Sequence, residues 1–220
     1  ASHIHFVECA GNSGREWKAP GAADAQRSCG LASCSEWTGV PLKVLFAEAG
    51  LKPEGKWFLA EGADACKMFR SVPIEKARED ALVVYAQNGE AIRPEQGYPL
   101  RLLLPGYEGN MNVKWLRQIK VVDQPHQAKD ETSKYTDLLA DGTARQFTFP
   151  MEVKSLITHP SGGQKMGAPG FYEIRGLAWS GKGRIEKVDV SVDGGRSWQA
   201  AQLSEPRLPK AFTRFRLPWE

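Results

Sequence analysis

The sequence predicts an α+β protein in which a mixed α/β region is followed by a region with the pattern of a β-sandwich. Up to about Asp123, apolar strand-like segments are interspersed with helical segments, whereas from Met151 onward only strand-like segments and turns occur. In this second region Val188, Val190 and Val192 alternate with polar residues. That alternation is typical of a strand with one buried face.

The first region contains one clear helix and several strands. A helix is predicted in TGVPLKVLFAEAG, residues 38–50, because Pro41 suits a first helical position and Gly50 a helix end. The pair Asn88-Gly89 predicts a tight turn. Strands are predicted at residues 3–8, 56–62, 81–87, 98–106 and 113–123.

These patterns predict a domain at residues 1-123, a polar and irregular connecting segment at 124-150, and a second domain at 151-220. The second domain is shorter than a sandwich of roughly 100 residues, so we expect it to lack its last strands. The chain starts without methionine. We therefore expect it to be part of a longer protein, truncated at both ends.

Composition excludes two classes of partner. The chain has 220 residues and a formal net charge of +3, and it contains no basic run, so we expect no nucleic-acid binding. Its sequence also contains no apolar stretch approaching the roughly 18 residues of a membrane span. We therefore expect no membrane-spanning segment.

Cys9 lies in HFVECAGNSG, residues 5–14, where a predicted strand ends and a glycine-containing turn begins. Taken alone, it is a buried structural cysteine, a thiolate nucleophile, or the single thiolate ligand of a metal otherwise held by an organic cofactor. The third interpretation requires cations for the cofactor phosphates. Arg101 and Lys114, on predicted neighbouring strands, are candidates.

A zinc site is a further alternative for this part of the chain, because His3, His5, Cys29 and Cys34 offer four nitrogen and sulfur donors. Their spacing does not match the usual zinc motifs. The sequence does not decide whether Cys29, Cys34 and Cys66 form disulfides or are buried free thiols. Most tryptophans are predicted to be core residues rather than electron conduits: Trp17, Trp37, Trp57, Trp115, Trp179 and Trp198.

Three segments together resemble the sulfite oxidase family of molybdenum enzymes: ECAGN (8–12), YPLRLLLPGYEGNMNVKWLRQIKVVD (98–123) and GLAWSGKGRIEKVDVSVDGGRSWQAA (176–201). The resemblance implies part of a sulfite-oxidase-type molybdopterin domain, followed by an immunoglobulin-like dimerisation domain. Within the family, SCSEWTGVPL (33–42), DETSKYTDLLADGTARQFTF (130–149) and PKAFTRFRLPW (209–219) most resemble the molybdenum subunits of sulfane dehydrogenases.

The resemblance also implies roles for individual residues. Cys9 matches the cysteine that ligates molybdenum, and Tyr135 matches the active-site tyrosine, although Tyr135 alone indicates only a loop tyrosine at a domain junction. Four residues match the positions that hold the molybdopterin phosphate: Gln96, Arg101, Asn112 and Lys114. Gln96 and Asn112 replace a histidine and a serine of the family pattern, so they are neutral hydrogen-bonding groups there.

One departure bears on the substrate. Five positions after Cys9, where sulfite oxidases have an arginine, this chain has Gly14. The missing cation weakens binding of a small dianion by a few kcal/mol, in the range of about 1.5 to 3 kcal/mol for a charge-assisted hydrogen bond, and the glycine opens space. Both effects suit a substrate that is a sulfane sulfur on a carrier protein. If Arg15 replaces the missing cation, free sulfite remains the alternative substrate.

The resemblance therefore implies molybdenum-dependent oxidation of carrier-bound sulfane sulfur during thiosulfate oxidation in the bacterial periplasm. Electrons would pass to a c-type cytochrome, with haem only on that partner, and residues 151-220 would form a homodimer. The alternatives are a sulfite:cytochrome c oxidoreductase and a non-catalytic dimerisation or docking module. Further active-site arginines of the family lie outside this chain, so we expect the fragment to bind the cofactor poorly.

Overall fold

A computed structural model describes residues 1–14 and 24–220 and divides them into two compact units. The first unit comprises Ala1–His3 and Ser35–Pro150, and the second comprises Ile4–Cys34 and Met151–Glu220. The units differ from the predicted domains because Ile4–Cys34 groups with the C-terminal part. The backbone N–H of Phe6 donates to the carbonyl of Lys210 at 3.0 Å, and the Phe6 side chain belongs to an apolar cluster with Met151.

Two strands, β1 (Ser2–Glu8) and β2 (Ala32–Pro41), are divided between the units. The other strands of the first unit are β3 (Trp57–Gly62), β4 (Phe69–Pro73), β5 (Leu82–Gln87), β6 (Glu90–Ala91), β7 (Arg101–Leu103), β8 (Leu116–Val122), β9 (Thr136–Leu138) and β10 (Ala144–Gln146). Helix α1 (Ala25–Cys29) belongs to the second unit. The first unit contains the helices α2 (Leu42–Ala49), α3 (Ile74–Glu79) and α4 (Lys129–Ser133). It also contains two 3-10 turns, Pro94–Gln96 and Gly109–Met111.

Beside the β9–β10 pair, the first unit contains two larger sheets around an apolar core. One has the order β1-β2-β5-β6 with β7 also paired to β5, and the other has the order β4-β3-β8. Helix α2 contributes Leu42 and Phe46 to the core, where the Phe46 ring meets Phe58 of β3 edge to face at 5.6 Å. The core includes Leu102, Met111 and Val113, so it fixes β7 and the loop that follows it, which carry Arg101, Asn112 and Lys114.

The predicted helix is confirmed at Leu42–Ala49. Pro41 stands just before the helix rather than at its first position, and Gly50 ends it in the left-handed conformation, with φ of 74°. Strand β4 and helix α3 were not predicted. The interpretation of 124-150 as irregular was wrong in part, because it contains α4 and the β9–β10 hairpin.

The strands of the second unit form a four-stranded antiparallel sheet and a separate short pair. These strands are β11 (Lys154–His159), β12 (Tyr172–Trp179), β13 (Asp189–Val190), β14 (Gln199–Ala200), β15 (Gln202–Leu203) and β16 (Thr213–Trp219). The sheet order is β11-β12-β16-β15, and β13 pairs with β14. This arrangement agrees with the expected immunoglobulin-like region.

Two predictions for buried residues in this unit were wrong. Val188 and Val190 are in the core, but Val192 is 45% exposed because the chain turns at Ser191–Asp193, where the Asp193 carboxylate accepts hydrogen bonds from Ser191 and Ser197. Trp198, predicted as core, is 63% exposed. The other tryptophans vary: Trp37 and Trp179 are buried, Trp57 and Trp115 are half-buried, and Trp17 lies outside the described residues.

Across residues 1–14 and 24–220, every helix is too short or too polar to cross a lipid bilayer.

Candidate active site

Cys9 is an exposed, free thiol at the end of β1. Its backbone N–H donates to the carbonyl of Leu31 at 2.9 Å, and its carbonyl accepts from the N–H of Asn12 at 2.9 Å. The backbone on both sides of the sulfur is therefore held in place while the side chain remains open to solvent. This geometry contradicts the interpretation of Cys9 as a buried structural cysteine.

A buried carboxylate supports the turn that carries Cys9. Glu8 is 0% exposed, and its Oε1 accepts from Asn12 Nδ2 at 2.9 Å and from Lys154 Nζ at 2.7 Å. Its Oε2 accepts from Trp179 Nε1 at 2.7 Å. These three donors, one of them the cationic Lys154, offset the free-energy cost of burying the Glu8 carboxylate. Sequence reasoning missed this network, since Lys154 and Trp179 are remote from Glu8 along the chain.

The turn after Cys9 contains two glycines with few close neighbours among the described residues. A Cβ added at Gly14 meets none of their heavy atoms within 4 Å, and one added at Gly11 first meets Cys9 Sγ, at 3.9 Å. The compensating role suggested for Arg15 falls outside the described residues.

Arg101, at the start of β7, is a buried cation that forms no ion pair with a carboxylate of the described residues. The residue is 6% exposed, and its Nη1 donates to the side-chain and backbone oxygens of Gln96, at 3.1 and 3.3 Å. The guanidinium lies 5.2 Å from the ring centre of Trp37. Burial lowers the pKa of Arg101 to about 10, and its Nε has no hydrogen-bond partner among the described residues.

Lys114 lies beside the 94–97 loop that presents Gln96 to Arg101. Lys114 Nζ donates to the carbonyl of Glu95 at 3.0 Å, and Trp115 Nε1 donates to the carbonyl of Pro94 at 2.9 Å. Gly97 has φ of +109°, and a Cβ there would stand 2.9 Å from Lys114 Cβ. The loop and the Lys114–Trp115 segment are thus in contact, and Gln96, Arg101 and Lys114 form one group, the cation cluster.

Asn112 has a different environment. It is buried, its Oδ1 accepts from the backbone N–H of Leu104 at 2.7 Å, and its Nδ2 donates to the carbonyl of Glu108 at 3.0 Å. The amide therefore holds together the loop between β7 and β8. Its assignment as a phosphate contact stays a prediction, and its hydrogen bonds indicate a structural role.

Tyr135 directly follows α4 and is half-buried. Its backbone N–H donates to the carbonyl of Asp130 at 3.1 Å, and its ring centre lies 4.9 Å from the guanidinium carbon of Arg70. Arg70 is on β4 and is itself buried. Sequence reasoning did not single out Arg70, because nothing near it in the sequence indicates a tyrosine that lies this far along the chain.

The remaining cysteines are also free thiols. Burial raises the pKa of Cys34, while a hydrogen bond to Asp64 raises the pKa of the exposed Cys66 thiol. Within the part of the chain that the structure describes, no three side chains of His, Cys, Asp or Glu form a group able to hold a metal. The zinc alternative is therefore not supported.

The site and fold define a class. Residues 1–129 match the oxidoreductase molybdopterin binding domain family, and residues 145–216 match the Mo-co oxidoreductase dimerisation domain family. The chain therefore belongs to the sulfite oxidase family of molybdopterin oxidoreductases, as its sequence segments indicated.

Individual relatives refine this assignment. The crystal structure of the sulfane dehydrogenase SoxCD from Paracoccus pantotrophus is similar to the whole chain, with a TM-score of 0.95 and 50% sequence identity. The mitochondrial sulfite oxidase of Drosophila melanogaster is 31% identical over 92% of the chain, and nitrate reductase [NADH] 2 of Phaseolus vulgaris is 30% identical over 83%. The chain spans 57% of the SoxCD chain, 39% of the sulfite oxidase and 24% of the nitrate reductase.

The described residues fit the molybdenum-molybdopterin cofactor of this family. Cys9 offers an exposed thiol, and a thiolate is a suitable ligand for a soft metal. Arg101 offers a buried cation with an unpartnered Nε, which an anionic group such as a phosphate would satisfy. Lys114 and Gln96 add a second cation and a neutral hydrogen-bonding group beside it.

Proposed function

We propose that the chain is part of a sulfane dehydrogenase that oxidises sulfane sulfur held on a carrier protein during thiosulfate oxidation. Its electrons pass to a c-type cytochrome partner, which carries the haem, and the enzyme works in the periplasm as a homodimer through residues 151-220. The observation that carries this proposal is 50% identity to SoxCD over the entire chain. The proposed substrate, partner and location extend that similarity to the longer protein of which this chain forms part.

Each candidate residue has a distinct role in the proposal. When bound, the cofactor supplies oxygen-atom transfer to sulfur and accepts the electrons. The Cys9 thiolate is its protein ligand, and Arg101, Lys114 and Gln96 bind its phosphate, with Asn112 as a further candidate. Tyr135 Oη donates a hydrogen bond to the oxygen at the reacting centre.

Gly14 supports a carrier-bound substrate rather than a free oxyanion. Position 14 itself carries no cationic side chain to attract a small dianion, and among the described residues no heavy atom lies within 4 Å of a Cβ added there. The second candidate function is sulfite:cytochrome c oxidoreduction, which the 31% identity to a sulfite oxidase favours. Turnover of free sulfite and of a persulfidated carrier protein by the full-length enzyme distinguishes the two. Rapid turnover of sulfite with none of the carrier would contradict the proposal.

The metal assignment is tested by Cys9→Ser in the full-length protein. We expect the molybdenum content to fall about tenfold or more, because a serine hydroxyl loses its proton far less readily than a thiol and is therefore the weaker ligand. The matched control is Cys66→Ser, another exposed free cysteine, which should retain the native metal content. Equal molybdenum in both variants would show that Cys9 is not the ligand and would favour a non-catalytic docking module.

A further inference from the structure

Arg70 is a buried arginine whose guanidinium lies over a tyrosine ring. The residue is 2% exposed and lies on β4, and its guanidinium carbon stands 4.9 Å from the centre of the Tyr135 ring. A cation at this distance over an aromatic face is attracted by the ring, and the attraction is strengthened by exclusion of water. The contact therefore restrains both groups.

The hydrogen bonds of Arg70 do not explain its burial. Nε donates to Met111 Sδ at 2.9 Å, and the nearest carboxylate oxygen, Glu131 Oε1, is 4.0 Å away. Nη1 has no hydrogen-bond partner among the described residues. A cation placed this way costs folding free energy, and burial accordingly lowers the pKa of Arg70.

Glu131, the ion-pair partner of Arg70 at 4.0 Å, also accepts hydrogen bonds from other donors. Its carboxylate accepts from the backbone N–H and the hydroxyl of Ser71, at 2.5 and 3.0 Å, and from the N–H of Ala128 at 3.3 Å. These donors already satisfy the acid. An interpretation of Arg70 as a purely structural counter-ion therefore leaves its position on the Tyr135 ring unexplained.

The charges near Arg70 and Tyr135 give the contact an electrostatic consequence. Glu131 and Asp130 of α4 and Glu108 of the loop after β7 all act on Arg70, as does the Tyr135 phenol. The three carboxylates disfavour a negative phenol oxygen, whereas Arg70 favours it. With Arg70 in place, the Tyr135 hydroxyl is therefore expected to be a stronger hydrogen-bond donor than it would be beside the three carboxylates alone.

We propose that Arg70 is a positioning residue for Tyr135, holding its ring in a fixed plane and strengthening its hydroxyl as a hydrogen-bond donor. The proposal rests on the proposed function, in which the Tyr135 hydroxyl donates to the oxygen at the reacting centre. It assigns a task to a buried cation that lies outside the cation cluster.

The first test follows the Tyr135 phenol in the full-length protein without reference to turnover. Carbon-13 labelling of tyrosine Cζ, with Tyr135→Phe to assign its signal, gives the titration of this phenol. In Arg70→Met the midpoint should rise by about one pH unit or more, as expected on loss of an opposite charge within 6 Å. An unchanged midpoint would overturn the proposal.

Two comparisons guard this test against nonspecific effects. Lys76 Nζ lies 4.5 Å over the ring of Tyr107, so Lys76→Met removes a comparable cation from a different tyrosine and should leave the Tyr135 midpoint unchanged. If Arg70→Met fails to fold, Arg70→Met with Glu131→Gln removes both buried charges together. In that double variant the midpoint should remain higher than in Glu131→Gln alone, and equal midpoints would overturn the proposal.

The second test uses turnover of the cofactor-loaded protein. Arg70→Met should lower kcat by about tenfold or more with little change in KM, as expected when a hydrogen bond to a reacting group is misplaced. In a Tyr135→Phe background, Arg70→Met should cause no further loss. A shifted phenol midpoint with native kcat would overturn the positioning role. If Tyr135→Phe itself is fully active, the role of Tyr135 in the proposed function fails, whereas the phenol titration still reports on the contact.

Discussion

Two buried charges of the candidate site differ in how they are satisfied. The Glu8 carboxylate is matched by three side-chain donors, so its burial supports the fold. Among residues 1–14 and 24–220, the Arg101 guanidinium contacts the neutral oxygens of Gln96 and the face of Trp37 but no carboxylate. Burial lowers the pKa of Arg101 to about 10, so the guanidinium is still charged at neutral pH and the full cost of burying that charge is present there. An anionic ligand offsets that cost.

Arg101→Met separates binding from stability. Loss of the cation should weaken retention of the cofactor about ten- to a hundredfold, the range of a charge-assisted hydrogen bond. The cofactor-free protein should be as stable as the native protein or more so, because an apolar residue of similar size removes an unpaired buried charge. Molybdenum content and urea unfolding measure the two quantities.

Arg101→Lys is the control for charge. It keeps the cation but loses the planar guanidinium, so cofactor retention should fall less than in Arg101→Met. If Arg101→Met strongly destabilises the cofactor-free protein, the role of Arg101 is to stabilise the fold rather than to bind an anion.

At the scale of elements, the 94–97 loop joins the parts of the cation cluster. Gly97 adopts a φ that side-chain-bearing residues avoid, and its hydrogen-bonded neighbours bring Gln96 to Arg101 and Glu95 to Lys114. The cluster thus depends on a turn as well as on its charges.

Gly97→Ala should disturb the cluster through both strain and contact. The backbone at this position requires alanine to adopt a positive φ, and the added Cβ stands 2.9 Å from Lys114 Cβ. Lys114 or the loop must therefore move. Gly89→Ala is the matched control, because Gly89 also has a positive φ, +81°, but nothing lies within 4 Å of its added Cβ. Gly89→Ala should cost about 1 to 2 kcal/mol and spare the cofactor. Gly97→Ala should cost more in urea unfolding and lower the molybdenum content, and equal effects of the two would contradict this role of the loop.

Elements with strong local signals were predictable from sequence. Helix α2 has apolar residues at helical spacing and a glycine at its end, and the structure contains it. Strand β2 was missed because its CSEWTG stretch mixes polar and apolar residues, and its pairing with β5, some 45 residues away, defines it. Val192 was wrongly predicted as buried because hydrogen bonds to Asp193 turn the chain there.

At the scale of the whole molecule, the two compact units do not follow the chain from one end to the other. Ile4–Cys34 belongs with Met151–Glu220, so the C-terminal unit contains Phe6 and Glu8. Residues 151–220 alone would expose Trp179, which packs with Phe6 and donates its indole N–H to Glu8.

A fragment of residues 151–220 should therefore lack part of its fold. Hydrogen exchange of the Trp179 indole N–H should be slow in the whole chain and fast in the fragment, because its buried acceptor at 2.7 Å is removed. Trp198 is the internal control, since it is 63% exposed in the whole chain and should exchange rapidly in both. Equal protection of Trp179 in both proteins would show that the fragment folds independently.

Only part of the candidate site could be predicted, because some of its residues lie in recognisable sequence segments whereas others reach the site only through tertiary contacts. Cys9 and the cations lie in segments whose family resemblance can be read from the sequence, and the structure shows an exposed thiol and an unpaired buried cation. The residues that support them, such as Lys154 for Glu8 and Arg70 for Tyr135, are brought together only by tertiary folding. No local pattern indicates such contacts.

The network around Glu8 has a consequence for the order of events during biosynthesis. The turn that presents the Cys9 thiol is completed by groups at positions 154 and 179. A nascent chain that has emerged from the ribosome only as far as the first of these positions still lacks one of the donors that fix the turn. The turn therefore gains its last side-chain donor only after Trp179 has been synthesised, 170 residues after Cys9.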